Sequence, residues 1–480
     1  MMNLRPHQDK LIEDIRTAFK THKSVLAVAP VGFGKTIISA YMGKRIIDKK
    51  NSMFFCVHTR DLITQTHKAF DKFSIPYGFI AAGYYSNKYP IQICSINTLK
   101  NRLHKAPIPT MLVIDEAHIG GPSWAKMINF YKEKGCFILG LTASPWKLNS
   151  QGLGEYFDTI VEGPTTKWLI DNKYLSNYRI FAPSKPDLSK SHTRMGDYVQ
   201  EELEAIMDTP QITGCAISHW KKYAQGKRTI IFCTSIKHSK DITKQFNEAG
   251  ISTEHLDGEC TKEQRAETIR KLADGEILCI SNCYLFTAGF DLSLQIDRDI
   301  TIEAIVLLRP TQSLSLNIQM NGRVLRYKDY PALILDHANQ TATHGLPCQD
   351  RKWTLSGITK KKSSEPNLSV KVCPSCYACI PSAKRECPEC QHIFEIQYRE
   401  VKQTDGELTE LNIEATRKHN EQVFKTDQAS ELWRAQTREQ LVDLAKRRGY
   451  KNPWGFAHLI LQKRQAKKIY ENNNALHTQV

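Results

Sequence analysis

The sequence predicts an α/β protein of two tandem lobes, each a parallel sheet covered by helices, followed by a small metal-binding ribbon and a short basic helical tail. Three observations predict it. Apolar strand-type runs alternate with helical stretches from Leu4 to about Gly163, and again from about Thr229 to Asp336. Two strings suited to nucleotide chemistry, APVGFGKT (Ala29–Thr36) and DEAH (Asp115–His118), each follow such a run. Four of the 14 cysteines make a C-x2-C-x10-C-x2-C pattern between Cys373 and Cys390.

In the first lobe the candidate strands are Val25–Ala29, Met53–Val57, Ile91–Ser95, Leu112–Ile114 and Phe137–Leu141. In the second they are Thr229–Cys233, Thr253–Leu256, Ile277–Ser281, Ala304–Leu308 and Ala332–Leu335. Short apolar runs separated by helical stretches imply parallel strands joined by crossover helices. The expected boundaries are 1–163 and 164–350 for the lobes, 371–395 for the ribbon and 431–480 for the tail. Linkers are expected at 351–370, polar and lysine-rich (TKKKSSEPN), and at 396–430, with a short helix at Asn412–His419. The stretch Thr165–Gly226 carries helical pieces at Trp168–Asn172 and Asp197–Asp208 and is assigned to the second lobe.

A chain of 480 residues with 41% hydrophobic content can bury a sizeable core. Its formal net charge of +16 favours a polyanionic partner, nucleic acid being the simplest. Nine cysteines are scattered, several inside apolar runs (Cys94, Cys233, Cys279), where a free thiol behaves as a small hydrophobe. The N-terminus lacks the apolar segment of a signal peptide, and no apolar run nears the roughly 18 residues needed to span a bilayer. The expectation is a reducing cytosol and no membrane partner.

The loop Pro30, Val31, Gly32, Phe33 and Gly34 suits a phosphate cradle, its glycines letting the backbone curl so that N–H groups face phosphate oxygens. A helix starting near Lys35 adds its positive end. Lys35 reaches the β and γ phosphates, and the Thr36 hydroxyl ligates Mg2+. Asp115, at the end of an apolar strand, suits a second Mg2+ ligand, and Glu116 is placed to activate the attacking water. His118 is read as coupling the site to the rest of the machine. Charge developing on the γ-phosphate needs cations, and QMNGRVLR (Gln319–Arg326) offers Arg323 and Arg326, three apart and so on one face if helical, beside Gly322, which permits close approach. The substrate implied is ATP.

These strings, in this order, resemble the superfamily 2 helicases of the DEAD/DEAH-box type, over about Leu4–Asp336. The resemblance implies two RecA-like, P-loop NTPase lobes. It implies that LRPHQ (Leu4–Gln8) reads adenine, with Gln8 on the base edge and Arg5 packed beside it. HTRDL (His58–Leu62) and SINTL (Ser95–Leu99) are similar to motifs holding the nucleic-acid backbone, which puts Arg60 and Thr98 on phosphates. LTASP (Leu141–Pro145) looks like the coupling motif, with Thr142 and Ser144. TAGFD (Thr287–Asp291) resembles a motif shared by nucleotide and strand, which gives Gly289 and Asp291 to the nucleotide. The run LLRPTQSLSLNIQMNGRVLR and a following CPxC module are similar to the RadD-type bacterial and phage DNA helicases. Asp61 stands where Glu is usual, and Val324 where a small residue is common. The resemblance implies a bacterial cytosol, or host cytosol if phage-encoded, with replication or repair proteins as further partners.

CPSC (Cys373–Cys376) and CPEC (Cys387–Cys390) bring four thiolates together in the pattern of a structural Zn2+ site, with no open position for catalysis. Cys379 makes a second C-x2-C with Cys376 and could replace Cys373; the symmetric pair is favoured, with Cys379 a free thiol. From Glu431 to Val480 ten Lys/Arg face four Asp/Glu, with Trp433, Tyr450, Trp454, Phe456 and Tyr470 interspersed. These rings are read as a small helical core in preference to stacking platforms. The leading function is an ATP-dependent DNA helicase or translocase, with an RNA helicase or a non-catalytic zinc-dependent nucleic-acid scaffold as alternatives.

Overall fold

A computed structural model describes residues 4–85, 87–182, 186, 188, 191–194, 196–286, 291–357, 370–394, 431–432, 435, 437–450, 452–462 and 464–465. The expected helix at Asn412–His419 and the site residue Gly289 lie outside these residues, as do Trp433 and Tyr470.

The first lobe runs α1 (Pro6–Ala18), β1 (Ser24–Val28), α2 (Lys35–Asp48), β2 (Met53–Val57), α3 (Arg60–Lys72), β3 (Gly78–Ile80), β4 (Ile91–Ser95), α4 (Ile96–Lys100), β5 (Met111–Ile114), α5 (Pro122–Glu133), β6 (Phe137–Thr142) and β7 (Thr159–Glu162). Its strands form one parallel seven-stranded sheet in the order β3-β4-β2-β5-β6-β1-β7. Strands β1 and β2 are buried along their whole length, as apolar runs without alternation require when helices cover both faces.

The second lobe contains α6 (Thr166–Asp171), β8 (Tyr178–Phe181), a hairpin of β9 (Thr193–Arg194) and β10 (Asp197–Tyr198), α7 (Gln200–Met207), α8 (Pro210–Tyr223), β11 (Thr229–Phe232), α9 (Ile236–Glu248), β12 (Thr253–Leu256), α10 (Lys262–Asp274), β13 (Cys279–Asn282), α11 (Leu292–Ile296), β14 (Ala304–Leu307), α12 (Leu314–Gly322), β15 (Ala332–Asp336) and α13 (Gln340–His344). Its six-stranded sheet is also parallel, in the order β12-β13-β11-β14-β15-β8. The stretch expected to be helical at Asp197–Asp208 splits, because Asp197 and Tyr198 pair back onto Thr193–Arg194 and the helix begins only at Gln200. Thr261 opens α10 with a capping box, its hydroxyl accepting from Gln264 N while the Gln264 side chain accepts from Thr261 N.

Residues 353–357, within the stretch expected to be a linker (351–370), are part of the first lobe's packing. Trp353 meets Trp146 edge-on with ring centroids 4.8 Å apart, Trp146 Nε1 donates to Thr354 O (3.0 Å), and Gly154 N donates to Leu355 O (2.9 Å). The chain thus returns from the second lobe to grip the segment that follows LTASP.

The ribbon strands β16 (Val370–Val372) and β17 (Cys379–Pro381) pair antiparallel. They dock on the β8 edge of the second lobe: Ala182 N donates to Tyr377 O (3.0 Å) and Tyr223 OH to Cys376 O (3.0 Å). Arg179 pairs with Glu389, and Phe181 stacks on Tyr223 at 4.1 Å.

The chain divides into two compact units, Met1–Ile396 and Gln397–Val480. The second contains α14 (Arg438–Arg447) and a helical run at 453–462. Its core is aliphatic, built on Leu441, Val442, Leu444, Ala445 and Ala457. The aromatic core expected there is not formed among the described residues: Tyr450 is 48% and Trp454 58% exposed. Small aliphatic residues at helical spacing fill the narrow space between two short helices; the Tyr450 and Trp454 rings stay outside, and Phe456 is half-buried against Tyr450. Among the described residues, no helix is long and apolar enough to cross a membrane.

Candidate active site at the seam of the lobes

The strand order puts the ends of β1, β5 and β6 side by side on the carboxyl edge of the first sheet, where ligands of open parallel sheets bind. Pro30–Gly34 follows β1. Gly32 (φ +83°) and Gly34 (φ +97°) take left-handed conformations that only glycine adopts cheaply, and α2 starts at Lys35 with Thr36 in its first turn. The loop therefore presents backbone N–H groups and a helix N-terminus, the arrangement that binds phosphate. Lys35 Nζ donates to Ala29 O at 3.2 Å.

Gln8 braces this loop from α1. Its Nε2 donates to Phe33 O (2.9 Å), its Oε1 accepts from Arg5 N (3.0 Å), and it is 2% exposed. The amide expected to read a base edge is thus engaged with protein backbone at both ends. The Arg5 guanidinium lies over the Tyr174 ring at 5.0 Å.

Asp115 and Glu116 follow β5. Glu116 is buried and left-handed (φ +49°), a strained conformation of the kind concentrated at functional sites. Burial pushes its carboxyl up, but Lys35, His118, Arg323 and His58 outweigh that and hold it below the ordinary value. Burial, then the neighbouring Glu116 charge, push Asp115 up to about 7, with Lys35 opposing. Adjacent desolvated carboxylates beside a single lysine make a donor set that suits a divalent cation. His118 Nδ1 lies 3.3 Å from Glu116 Oε2 and 3.1 Å from Thr142 Oγ1, and Thr142 Oγ1 donates to Ser144 O (2.6 Å). DEAH and LTASP are thereby one hydrogen-bonded unit.

The second lobe meets this site through α12. Gln319 Nε2 donates to Glu116 Oε2 across the seam at 3.2 Å. A Cβ on Gly322 would lie 2.4 Å from Val31 Cβ, so the helix backbone seats directly on the phosphate loop. Arg323 donates from Nε to Phe286 O (2.7 Å); burial lowers it to about 10 against the pull of Asp291 and Glu116, so it stays cationic at neutral pH. Arg326 does not share a helical face with it. Helix α12 ends at Gly322, and Arg326 runs extended, its backbone bridged to Leu175. Its guanidinium donates to Asp291 Oδ2 (2.5 Å) and Ser293 Oγ (3.0 Å). Asp291 caps α11 by accepting from Ser293 N (2.9 Å).

Sequence reasoning missed several seam residues. Gln319 sat inside the quoted string without a role. Asp61 pairs with Arg265 of the second lobe at 3.0 Å, and Lys68 with Asp297 at 3.0 Å; ion pairs between distant segments leave no local pattern. Arg60 is exposed at the start of α3, and Thr98 Oγ1 accepts from Ala82 N (3.3 Å), both at the carboxyl edge of the sheet.

In the ribbon the Sγ atoms of Cys373, Cys376, Cys387 and Cys390 all lie within 4.8 Å of one another, with Cys373–Cys390 and Cys376–Cys387 each at 3.6 Å. Zinc bound at ~2.3 Å to each sulfur sets S···S edges of about 3.8 Å in a tetrahedron, so the cluster fits that ion. Cys379 is not in the cluster. It is largely buried, and burial pushes its thiol up to about 12.

Comparison with known proteins agrees with this geometry. Residues 1–147 match the family described as type III restriction enzyme, res subunit, and residues 211–328 match the helicase conserved C-terminal domain. A 51.5 kDa protein of a Lactococcus phage (isolate 7-9) is 30% identical over 378 residues, 78% of this chain and 79% of the phage protein. The protein named "Putative ATP-dependent helicase IRC3" of Saccharomyces cerevisiae is 29% identical over 245 residues, 49% of this chain but 34% of the yeast protein. Among solved structures, the ATP-dependent Type ISP restriction-modification enzyme LlaBIII bound to DNA shares the fold, with a TM-score of 0.50 and 16% identity over 70% of this chain and 27% of that one. With nucleotide-cradle and arginine-bearing lobes in tandem and a relative matched over most of both lengths, the chain belongs to the superfamily 2 helicases.

Proposed function

We propose that the chain is an ATP-dependent DNA helicase or translocase that hydrolyses ATP at the seam between its lobes. One observation carries the reading: the buried Glu116 carboxylate of the first lobe is faced by Gln319 and Arg323 of the second. A site assembled from both lobes makes hydrolysis depend on their approach, and motion follows from its reversal.

In this account Pro30–Gly34 and Lys35 bind the phosphates, and Thr36 and Asp115 hold Mg2+, which supplies charge neutralisation on the phosphate oxygens. Glu116 orients the attacking water and accepts its proton, held ionised for that task by the surrounding cations. Arg323, beside Glu116, supplies positive charge to the transferring phosphoryl group. Arg326 reaches the same region only by exchanging its Asp291 contact. Cys373, Cys376, Cys387 and Cys390 hold Zn2+, which organises the ribbon. Asp291 serves the nucleotide through Arg326, and Arg5 flanks the base.

The net charge of +16 supports a nucleic-acid partner, and a DNA-bound structure of like fold favours DNA over RNA. Steady-state ATPase of the full chain, with and without single-stranded DNA or RNA of matched sequence, tests the reading. DNA is expected to stimulate turnover more than RNA does, and Lys35→Ala is expected to abolish the stimulated rate. Stronger stimulation by RNA would assign the motor to RNA, and full turnover in Lys35→Ala would refute the site.

A further inference from the structure

We propose that the turn between the two helices of the C-terminal unit is a contact for single-stranded DNA, with Trp454 stacking on a base; this rests on the nucleic-acid reading above and gives the tail a part in it. Helix α14 ends at Arg447, Gly449 reverses the chain with a left-handed backbone (φ +74°), and Tyr450 N donates back to Ala445 O (3.0 Å). Asn452 then caps the helical run at 453–462, its Oδ1 accepting from Gly455 N (2.9 Å). Tyr450 and Trp454 thus stand on either side of one short, hydrogen-bonded turn.

Tyr450 is 48% and Trp454 58% exposed, whereas Ala457, on the next turn of the same helix as Trp454, is fully buried. Single apolar side chains on a surface are ordinary, but two rings on one turn make a patch. Each ring is supported from within the unit. The Arg438 guanidinium carbon lies over the Trp454 ring, 5.7 Å from its centroid, and the Phe456 ring meets Tyr450 with centroids 4.5 Å apart. The larger part of the Trp454 side chain still remains in water.

The charge around this turn selects the occupant. From Leu444 to Tyr470 the sequence carries eight Lys/Arg and no Asp or Glu. Arg447 pairs with Asp443 (3.2 Å) and Arg448 with Glu431 (2.9 Å), across the surface of the unit. Such exposed pairs are weak and give way readily to a phosphate. Arg438 and Lys446 are exposed, and among the described residues no acid pairs with either. Free cations beside flat rings match a chain that offers one phosphate and one base in every nucleotide. A protein partner is a poorer match, because lysine is depleted at the centres of protein interfaces. The base must come from a single strand, because bases in a duplex already stack on one another.

The test titrates the full-length protein, Trp454→Ala, Trp454→Tyr and the double variant Arg438→Ala/Lys446→Ala against a fluorescent oligo-dT and against a strand of equal length built from abasic sites. The parent is expected to bind oligo-dT roughly tenfold more tightly than Trp454→Ala, with Trp454→Tyr within a few-fold of the parent. On the abasic strand the parent and Trp454→Ala should bind equally, because no base remains to stack. The double variant should bind both strands more weakly and lower the slope of log affinity against log salt by about 1.4, as two lost phosphate contacts require. Equal affinity of the parent and Trp454→Ala for oligo-dT overturns the inference, hands the patch to another kind of partner and leaves the helicase reading standing. An equal loss on both strands overturns it too, since the ring would then act on the backbone or on folding. An unchanged salt slope in the double variant also overturns it, because the cations would then touch no phosphate. A parent that binds neither strand overturns both readings.

Discussion

Gln319 Nε2 of the second lobe donates to Glu116 Oε2 of the first across 3.2 Å, and both residues are buried. A buried carboxylate that loses a donor either shifts its proton affinity or turns to another partner, here His118 at 3.3 Å. Gln319→Ala is expected to cut DNA-stimulated ATP turnover about 10- to 100-fold, the size of a hydrogen bond to a charged group, with the KM for ATP little changed. A variant with unaltered turnover would show that the contact serves packing alone.

The second prediction concerns the close approach of Gly322 to the phosphate loop. A methyl group there meets the Val31 side chain, with Cβ at 2.4 Å, and that Cβ is fixed to the loop backbone, so no rotamer change moves it away. Gly322→Ala is expected to depress turnover at least tenfold by holding the lobes apart. Adding Val31→Gly, which removes the clashing atoms, should recover part of it. If the single variant keeps full activity, the lobes do not need this contact during turnover.

If the four cysteines hold zinc as proposed, its removal should be felt in the second lobe, because the ribbon is docked on it through backbone groups at the Cys373–Cys376 knuckle, Cys376 O and Tyr377 O. Metal analysis is expected to give one zinc per chain. Chelation or Cys376→Ser should lower the melting midpoint by at least about 4 °C, equivalent to ~1–2 kcal/mol for a lobe of this size. An unchanged midpoint after full metal loss would mean that the ribbon folds and docks without it.

Acid should weaken the second lobe through His238. The imidazole is fully buried beside Thr234, and burial lowers it to about 4 from an ordinary value near 6.5. The folded state thus refuses a proton that the unfolded chain accepts. Stability is complete above about pH 6.5 and declines as pH falls toward 4. His238→Gln should flatten that decline in urea titrations. An equally steep decline in the variant would place the acid sensitivity elsewhere.

What the sequence disclosed follows the range of the interactions involved. Strand Met53–Val57 was legible with correct ends, because an unbroken apolar run bounded by polar residues has few other solutions. Strand β7, Thr159–Glu162, was not, since it lies at a sheet edge, half-exposed and mixed in character. Strand β8 was missed because its partner, β15, lies some 150 residues away in sequence. In the site, APVGFGKT, DEAH and QMNGRVLR marked in the sequence the segments that the fold brings together at the seam. The separation of Arg323 from Arg326 did not follow, because an RxxR spacing assumes a helix that here stops at Gly322. The bracing of the loop by Gln8 and the Asp61–Arg265 bridge depend on tertiary placement that no local pattern encodes.

The central claim is that one lobe holds the triphosphate while the other stabilises its transition state. Single-turnover hydrolysis of ATP by Arg323→Ala, measured beside direct ATP binding in saturating single-stranded DNA, tests it most directly. The account predicts nearly unchanged binding with hydrolysis slowed by a factor of order 10³ or more. Hydrolysis within a few-fold of the parent would contradict it, because the second lobe would then contribute no charge to the reaction.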